Sequence, residues 1–255
     1  MYTSMGYIFY LIVFLIGLSL GSFFSVIVFR FNTDKSVAKG RSKCVNCQST
    51  LKWYDLIPVF SYFALKSRCR NCKANISFLY PTIELTTAIV LTLFFAHSKL
   101  SPLTVAYATI VLLLLLIVFL DIRYFIIPDK IMVLLAILAI GIKLLTEDGS
   151  LVYSLFSALG LASFFVILFL VSKGRWIGFG DIKLVLFIGF LLEYPAGYLA
   201  ILTAVWTAAL FSLVLLFLKR ADAKTEIPFG SFLSAATIIF LIFSNELQSF
   251  SKLFF

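Results

Sequence analysis

Apolar residues gather in eight runs that are separated by short polar segments. The runs cover residues 6–29, 79–96, 103–120, 131–145, 151–171, 182–192, 196–218 and 229–243. Because about 20 apolar residues in a helix cross the ~30 Å hydrocarbon layer of a bilayer, this pattern predicts eight transmembrane helices. The run 182–192 is the weakest, since at about 1.5 Å per residue it covers only about half of that layer. The segment Glu193-Tyr194-Pro195 predicts a break before the next run.

The composition is typical of an all-α polytopic membrane protein. Of the 255 residues, 62% are hydrophobic and 13% are charged, and the mean hydropathy is +1.08. Such a chain has too little polar surface for a soluble domain. The net charge of +9 would otherwise suggest nucleic acid. The basic residues lie between the apolar runs, however, so we expect membrane lipid and no nucleic acid as a partner.

The basic residues are divided unevenly between the two sides of the predicted membrane. The segments 30–78, 121–130, 172–183 and 219–228 share one side and hold ten, two, three and three Lys and Arg residues, which is 18 of all 21. By the positive-inside rule these segments are cytoplasmic, and the N- and C-termini lie outside. Arg30 follows the first run and no basic residue precedes it, so we expect a true span rather than a signal peptide.

Two aspartates border apolar runs on the predicted cytoplasmic side. Asp121 follows the run 103–120, and Asp181 precedes the run 182–192. An ionised carboxylate at the edge of hydrocarbon is costly, so we expect these residues to form a functional pair. Asp181 would also be a good helix cap. Asp121 falls at a helix C-terminus, where the helix dipole disfavours a negative charge, so capping does not account for it.

Four neighbouring residues are candidates for supporting roles. Gly178 and Gly180 would allow a strained turn before the helix and a close approach of an extended substrate. Lys183 would either favour the ionised form of Asp181 or extend towards the lipid headgroups. Asp129 is typical of an ordinary helix start.

The ionisable residues narrow the possible chemistry. Glu84, near the same face, is expected either to bind a cationic group of a ligand or to be an acid favoured by the helix dipole.

His97 is the only histidine and falls on the outside, which disfavours a Ser-His or Cys-His hydrolase on the cytoplasmic side. Two close carboxylates favour an aspartyl protease, in which one takes a proton from water and the other donates one. A proton or cation transporter would need acids near the bilayer midplane, and none occurs there.

Four cysteines form two C-x-x-C knuckles in the long polar loop between the first two runs. They are Cys44, Cys47, Cys69 and Cys72, with 21 residues between the pairs. This spacing is close to that of a four-cysteine zinc site, and the predicted cytoplasmic location disfavours the alternative of disulfides. Four protein ligands would close the coordination shell, so we expect the zinc to be structural.

Beyond these derivations, several segments closely resemble bacterial prepilin peptidases. Residues 44–47, 51–61, 67–72 and 80–85 are similar to the cytoplasmic region of that family. Residues 121–129 resemble its first catalytic motif, and residues 178–184 resemble its second. The similarity covers nearly the whole chain in the family's order.

The resemblance implies a fold, a reaction and two cofactors. Residues 1–100 would form an N-terminal region with two spans and the cytoplasmic zinc loop (about 31–78), and residues 101–255 a six-span aspartyl peptidase domain. The enzyme would lie in the bacterial inner membrane. It would cut the leader from prepilins or pseudopilins at the cytoplasmic face, with Asp121 and Asp181 as the catalytic pair, and then methylate the new N-terminal residue with S-adenosylmethionine.

One position departs from the family pattern. Ser25 stands where the family usually has Asn, so the function of that amide is not carried over to this chain. Methyl transfer rests on the resemblance alone, because no Rossmann-type glycine loop occurs in the sequence. Two alternatives stay open: a peptidase without methyltransferase activity, and a non-enzymatic membrane scaffold that contains zinc.

Overall fold

The computed structural model describes residues 2–31, 42–146, 151–219 and 225–243. Its helices are α1 (Tyr2–Arg30), α2 (Phe60–Ala64), α3 (Leu79–His97), α4 (Pro102–Tyr124), α5 (Asp129–Leu145), α6 (Leu151–Ser172), α7 (Phe179–Leu192), α8 (Ala196–Phe217) and α9 (Phe229–Ile242). All except α2 coincide with the predicted apolar runs. Part of the predicted zinc loop (32–41) and the C-terminal residues 244–255 lie outside the described residues.

The helices differ in their ability to cross a membrane. By length and composition, α1, α3, α4, α6 and α8 are candidate spans. The helices α5, α7 and α9 have 17, 14 and 14 residues, which is fewer than the ~20 of an untilted crossing. In the described residues the only β-structure is two isolated bridges. The expected all-helical membrane protein is therefore confirmed, whereas the number of eight spans and the location of the termini stay predictions.

The chain forms two compact units, Met1–Lys99 and Leu100–Phe255. In the first unit, α1 and α3 pack closely against each other. Gly17 and Gly21 lie one turn apart on α1, and a Cβ at either position would be 2.6 Å from the Cα of Ala88 or Glu84 on α3. Helix backbones can approach this closely only where side chains are absent. The two glycines therefore determine how closely α1 and α3 pack.

In the second unit, α7 lies among four other helices. It contacts α5, α6, α8 and α9, and α4 packs against α5 and α9. Leu184 and Ile188 of α7 have no exposed surface. A helix that is apolar on all sides is typically buried in protein, which explains why the shortest predicted run forms a central helix. α7 ends at Leu192 and α8 begins at Ala196, so the predicted break between them is confirmed.

Candidate active site and metal centre

Asp121 is a buried carboxylate with two hydrogen-bond donors. It lies in the last turn of α4, which continues to Tyr124, and only 5% of the residue is exposed. The backbone N–H of Ser231, at the start of α9, donates to its Oδ2 at 2.6 Å, and the hydroxyl of Ser231 donates to the same oxygen at 2.9 Å. The carbonyl of Val118 is a second acceptor for this hydroxyl, at the longer distance of 3.2 Å. Bonds to a charged acceptor are stronger than bonds between neutral groups, and two of them offset part of the cost of burying a carboxylate.

Asp181 lies in the first turn of α7 and is partly buried. Its Oδ2 accepts a hydrogen bond from the backbone N–H of Gly178 at 3.2 Å. The N-cap of α7 is Gly178, and Asp181 is the third helical residue, so the expectation that Asp181 itself is the N-cap is wrong. Its carboxylate instead accepts from the N–H of the N-cap residue, as the acid of a capping box does. This is one bond, and longer than either bond to Asp121.

The segments that carry the two aspartates approach each other in the second unit. Ile127 lies between these segments. The side chain of Ile127 is 3.2 Å from the position of a Cβ on Gly180 and 2.7 Å from that of a Cβ on Gly230. The Gly230 position is itself 3.1 Å from Oδ2 of Asp121. Ile127 therefore packs against the glycine before Asp181 and against the glycine beside Asp121.

The expected strained turn at the glycines is absent. Gly178 has φ −74°, and Gly174 is the only glycine with positive φ in the described part of the chain. The glycines instead leave space for neighbouring side chains. A Cβ on Gly178 would be 3.2 Å from Oδ2 of Asp181, and the space beside Gly180 is filled by Ile127.

One sequence-based interpretation had Lys183 favouring the ionised form of Asp181. In the structure Lys183 pairs with Asp129 instead. Its ammonium donates to Oδ1 of Asp129 at 2.5 Å and lies 4.8 Å from the ring centre of Phe179. Asp129 is thus more than an ordinary helix start. The pair connects the first turn of α5 with the second turn of α7, the helix that carries Asp181.

The sequence did not single out three residues of this site: Ile127, Gly230 and Ser231. Gly230 and Ser231 begin an apolar run, where small residues are common. The only sequence signal that could have identified them was the presence of two small residues within three positions of Pro228, at the predicted cytoplasmic boundary.

Glu84 belongs to the first unit and has a backbone partner. Its Oε2 accepts a hydrogen bond from the N–H of Val59 at 2.6 Å, and 7% of the residue is exposed. Val59 has φ 61°, which is unusual for a β-branched residue. Glu84 therefore anchors the loop to α3, a role that neither sequence-based interpretation anticipated. Ser25 is buried, and its hydroxyl donates to the carbonyl of Ser22 at 2.7 Å.

The four cysteines of the first unit lie together. Their sulfur atoms are all within 4.8 Å of one another, those of Cys44 and Cys72 are 3.8 Å apart, and all four cysteines are free of disulfides. In a tetrahedral zinc site with Zn–S bonds of ~2.3 Å, the sulfur atoms stand about 3.8 Å apart. The arrangement can bind a metal, and its dimensions fit zinc.

The two knuckles are structural copies offset by 25 residues. In the first, Cys44 N–H donates to Ser49 O at 2.9 Å, and in the second, Cys69 N–H donates to Ala74 O at 2.8 Å. Antiparallel bridges also join residue 43 to residue 50 and residue 68 to residue 75. Each knuckle has a left-handed residue directly after its second cysteine, at Gln48 and Lys73. The loop is therefore built from one repeated turn.

Local hydrogen bonds favour the thiolate at two of the four cysteines. The hydroxyl of Ser49 lies 3.0 Å from Sγ of Cys47 and lowers the pKa of Cys47 to about 6. Backbone N–H groups of Cys72 and Asn71 lower the pKa of Cys69. The backbone N–H of Ala74 lowers the pKa of Cys72, but burial and hydrogen bonds with the other three thiols outweigh this effect and raise that pKa to about 11. Since the thiolate is the form that binds metal, metal binding would release a proton from Cys72.

Comparison with known proteins gives two family matches. Residues 15–98 match the bacterial peptidase A24 N-terminal domain, and residues 108–213 match the type IV leader peptidase family. Similar proteins occur in Bacillus subtilis (28% identical; 94% of this chain and 96% of the relative), Myxococcus xanthus (34%; 87% and 68%) and Pseudomonas aeruginosa (28%; 91% and 90%). Each of the three is named a prepilin leader peptidase/N-methyltransferase. No solved structure matches the chain significantly.

Proposed function

The chain belongs to the family of prepilin leader peptidase/N-methyltransferases and is a peptidase, and we propose that it cuts the leader of type IV prepilins or pseudopilins with Asp121 and Asp181 as its catalytic pair. The observation that supports this proposal is the approach of the two segments that carry these carboxylates in the second unit. The side chain of Ile127 lies beside Gly180, the residue before Asp181, and beside Gly230, which in turn lies next to Asp121.

The reaction follows from two carboxylates in different protonation states. Repulsion between two close carboxylates disfavours ionising both, so the pair shares one proton. The ionised carboxylate takes a proton from a water molecule while the oxygen of that water bonds to the scissile carbonyl carbon. At the same time the protonated carboxyl gives its proton to the carbonyl oxygen. When the C–N bond breaks, the first carboxyl protonates the leaving amine. The second recovers its proton from the intermediate, so both groups return to their starting states.

The proposed location is the cytoplasmic face of the bacterial inner membrane. Asp121 lies in the last turn of one candidate span, and most of the basic residues of the chain fall in segments on that side of the predicted topology. A prepilin has an apolar N-terminal helix that lies in the bilayer, so its leader junction would meet the enzyme near headgroup depth. The two aspartates fall at that depth in the predicted topology.

The zinc loop and methyl transfer are the remaining parts of the proposal. Cys44, Cys47, Cys69 and Cys72 would hold a zinc ion that stabilises the loop without an open position for catalysis. Methylation of the new N-terminal amine with S-adenosylmethionine is supported by the names of the relatives. A peptidase that lacks methyl transfer is the alternative.

Two substitutions test the peptidase proposal. Asp121→Asn and Asp181→Asn are expected to abolish leader cleavage of a prepilin from the same genome, while the purified variants stay folded by size-exclusion chromatography. Glu226→Gln, which alters an exposed carboxylate, is the control and should cleave normally. Full processing by either Asn variant would overturn the proposal. Mass spectrometry of the mature N-terminus decides whether methylation follows.

A further inference from the structure

The two aspartates have unequal surroundings. Oδ2 of Asp121 accepts two bonds from Ser231, at 2.6 and 2.9 Å, whereas Oδ2 of Asp181 accepts one bond from Gly178 at 3.2 Å. Hydrogen bonds donated to a carboxylate stabilise its ionised form. The expected cation for Asp181 is engaged elsewhere, because Lys183 pairs with Asp129.

The helix termini do not distinguish the two residues. Asp181 lies in the first turn of α7, where the helix dipole favours a negative charge. Asp121 lies in the last turn of α4, where the dipole is unfavourable, but it also faces the first turn of α9 through Ser231. The dipoles of α4 and α9 act in opposite directions on Asp121. The difference in ionisation between the two aspartates therefore comes from their direct hydrogen bonds.

Few other charged groups surround Asp121. In the described residues α9 carries no titratable side chain, and α7 contributes Asp181. Arg123 is two residues further along α4. The remaining charged side chains of α5 and α7 are Asp129, Lys130, Lys143 and Lys183. Two of these pair with each other, and Lys143 pairs with Glu193 at 2.6 Å.

We propose that Ser231 is a positioning residue that makes Asp121 the ionised member of the pair, so that Asp121 is the general base and Asp181 is the general acid. This inference rests on the proposed peptidase function. Both donors go to Oδ2, which leaves Oδ1 of Asp121 to take the proton from water. Asp181 carries the shared proton and gives it to the carbonyl oxygen. The absence of a side chain at Gly230, whose Cβ would lie 3.1 Å from Oδ2, leaves space for this arrangement.

The pH profile of leader cleavage can assign the two roles. In a bell-shaped profile of kcat, the acid limb reports the base and the alkaline limb reports the acid. Ser231→Ala removes the hydroxyl donor and keeps the backbone donor. We expect its acid limb to move to higher pH by about one pH unit and its kcat at the acid end of the profile to fall about tenfold. Ser231→Thr, which retains the hydroxyl, is expected to restore the limb towards its wild-type position.

Ser234→Ala is the matched control. Ser234 lies one turn further along α9, is fully buried, and its hydroxyl has no hydrogen-bond partner in the described part of the chain. Its removal should leave the profile unchanged. If Ser231→Ala moves the alkaline limb instead, Asp121 is the acid and the inference is overturned.

A third result is a uniform loss of activity with both limbs in place. It would make Ser231 a structural residue and would also overturn the inference. Neither outcome affects the peptidase proposal, which would be overturned only if Asp121→Asn or Asp181→Asn still cleaved the leader fully.

Discussion

Lys183 and Asp129 join α7 to α5 by an ion pair of 2.5 Å at the N-terminal ends of both helices. A second pair, Lys143 with Glu193 at 2.6 Å, joins the C-terminal end of α5 to the residue that follows α7. The two helices therefore run parallel and are connected at both ends. Because Asp181 lies two residues before Lys183, the first pair helps to set the position of the helix turn that carries it.

Neutralising this pair is expected to reduce activity only modestly. The side chains of Asp129 and Lys183 are 74% and 33% exposed, and exposed pairs contribute about 0–1 kcal/mol. Asp129→Asn and Lys183→Met should each lower kcat for leader cleavage by at most about fivefold. The double variant should be no worse than the more affected single variant, since both remove the same interaction.

Lys130→Met is the control for this experiment. Lys130 is an exposed cation next to Asp129 on α5, so its loss tests the effect of charge without the ion pair. It should leave kcat unchanged. Strictly additive losses in the double variant would show that the two residues act separately.

Adding a methyl group at Gly230 is expected to harm the site more than the fold. The new Cβ would lie 2.7 Å from Cδ1 of Ile127 and 3.1 Å from Oδ2 of Asp121. Overpacking of this kind costs about 1–3 kcal/mol, and here the strain falls on the aspartate. We expect Gly230→Ala to lower kcat at least about tenfold. Combining it with Ile127→Val should restore part of the activity, because the clashing Cδ1 is removed.

Gly160→Ala provides the comparison. No atom lies within 4 Å of a Cβ at Gly160 on α6, so this variant should cleave normally and be as stable as wild type or slightly more so. A Gly230→Ala variant that matched Gly160→Ala in kcat would show that the space beside Asp121 is not needed.

The helices and the location of the two aspartates in terminal helix turns were predictable from the sequence for a common reason. The cost of placing polar groups in hydrocarbon makes long apolar runs visible, and it also makes Asp121 and Asp181 unusual at the ends of such runs. The partner of Lys183 was not predictable, because Asp129 is 54 residues away and their contact depends on the packing of α5 against α7. Ser231 was missed because it acts through its backbone N–H as well as its hydroxyl.

In the loop of the first unit, too, some features were predictable from the sequence and others were not. The cysteine spacing predicted a metal site, and the sulfur atoms do lie together. The 25-residue repeat of the knuckle backbone was missed although it is visible in the sequence, where Ser42 and Asn46 of the first copy recur as Ser67 and Asn71 of the second. The anchor from Glu84 to Val59 was missed since the partner is a backbone N–H, which leaves no mark in the sequence.

Tight packing of α1 against α3 predicts a stability effect at Gly21. A Cβ there would lie 2.6 Å from the Cα of Glu84, and backbone cannot yield as a flexible side chain does. Gly21→Ala should lower the free energy of unfolding by about 1–3 kcal/mol, measured by denaturation in detergent. Gly6→Ala is the control on the same helix, since nothing lies within 4 Å of its Cβ. Equal stability of the two variants would contradict the close approach of the helices.

Metal analysis tests the cysteine cluster. Purified protein is expected to contain one zinc ion per chain by inductively coupled plasma mass spectrometry, because four sulfur atoms within 4.8 Å of one another supply one tetrahedral shell. Cys69→Ser, which alters the most buried of the four ligands, should lose the metal and expose the loop to limited proteolysis, since a loop of this size has little core of its own. Val45→Ser, at an exposed position between Cys44 and Cys47, should retain both metal and protection. If the protein instead contained disulfides, denaturation with a chelator would release fewer than four reactive thiols, and zinc would be absent from the wild type as well.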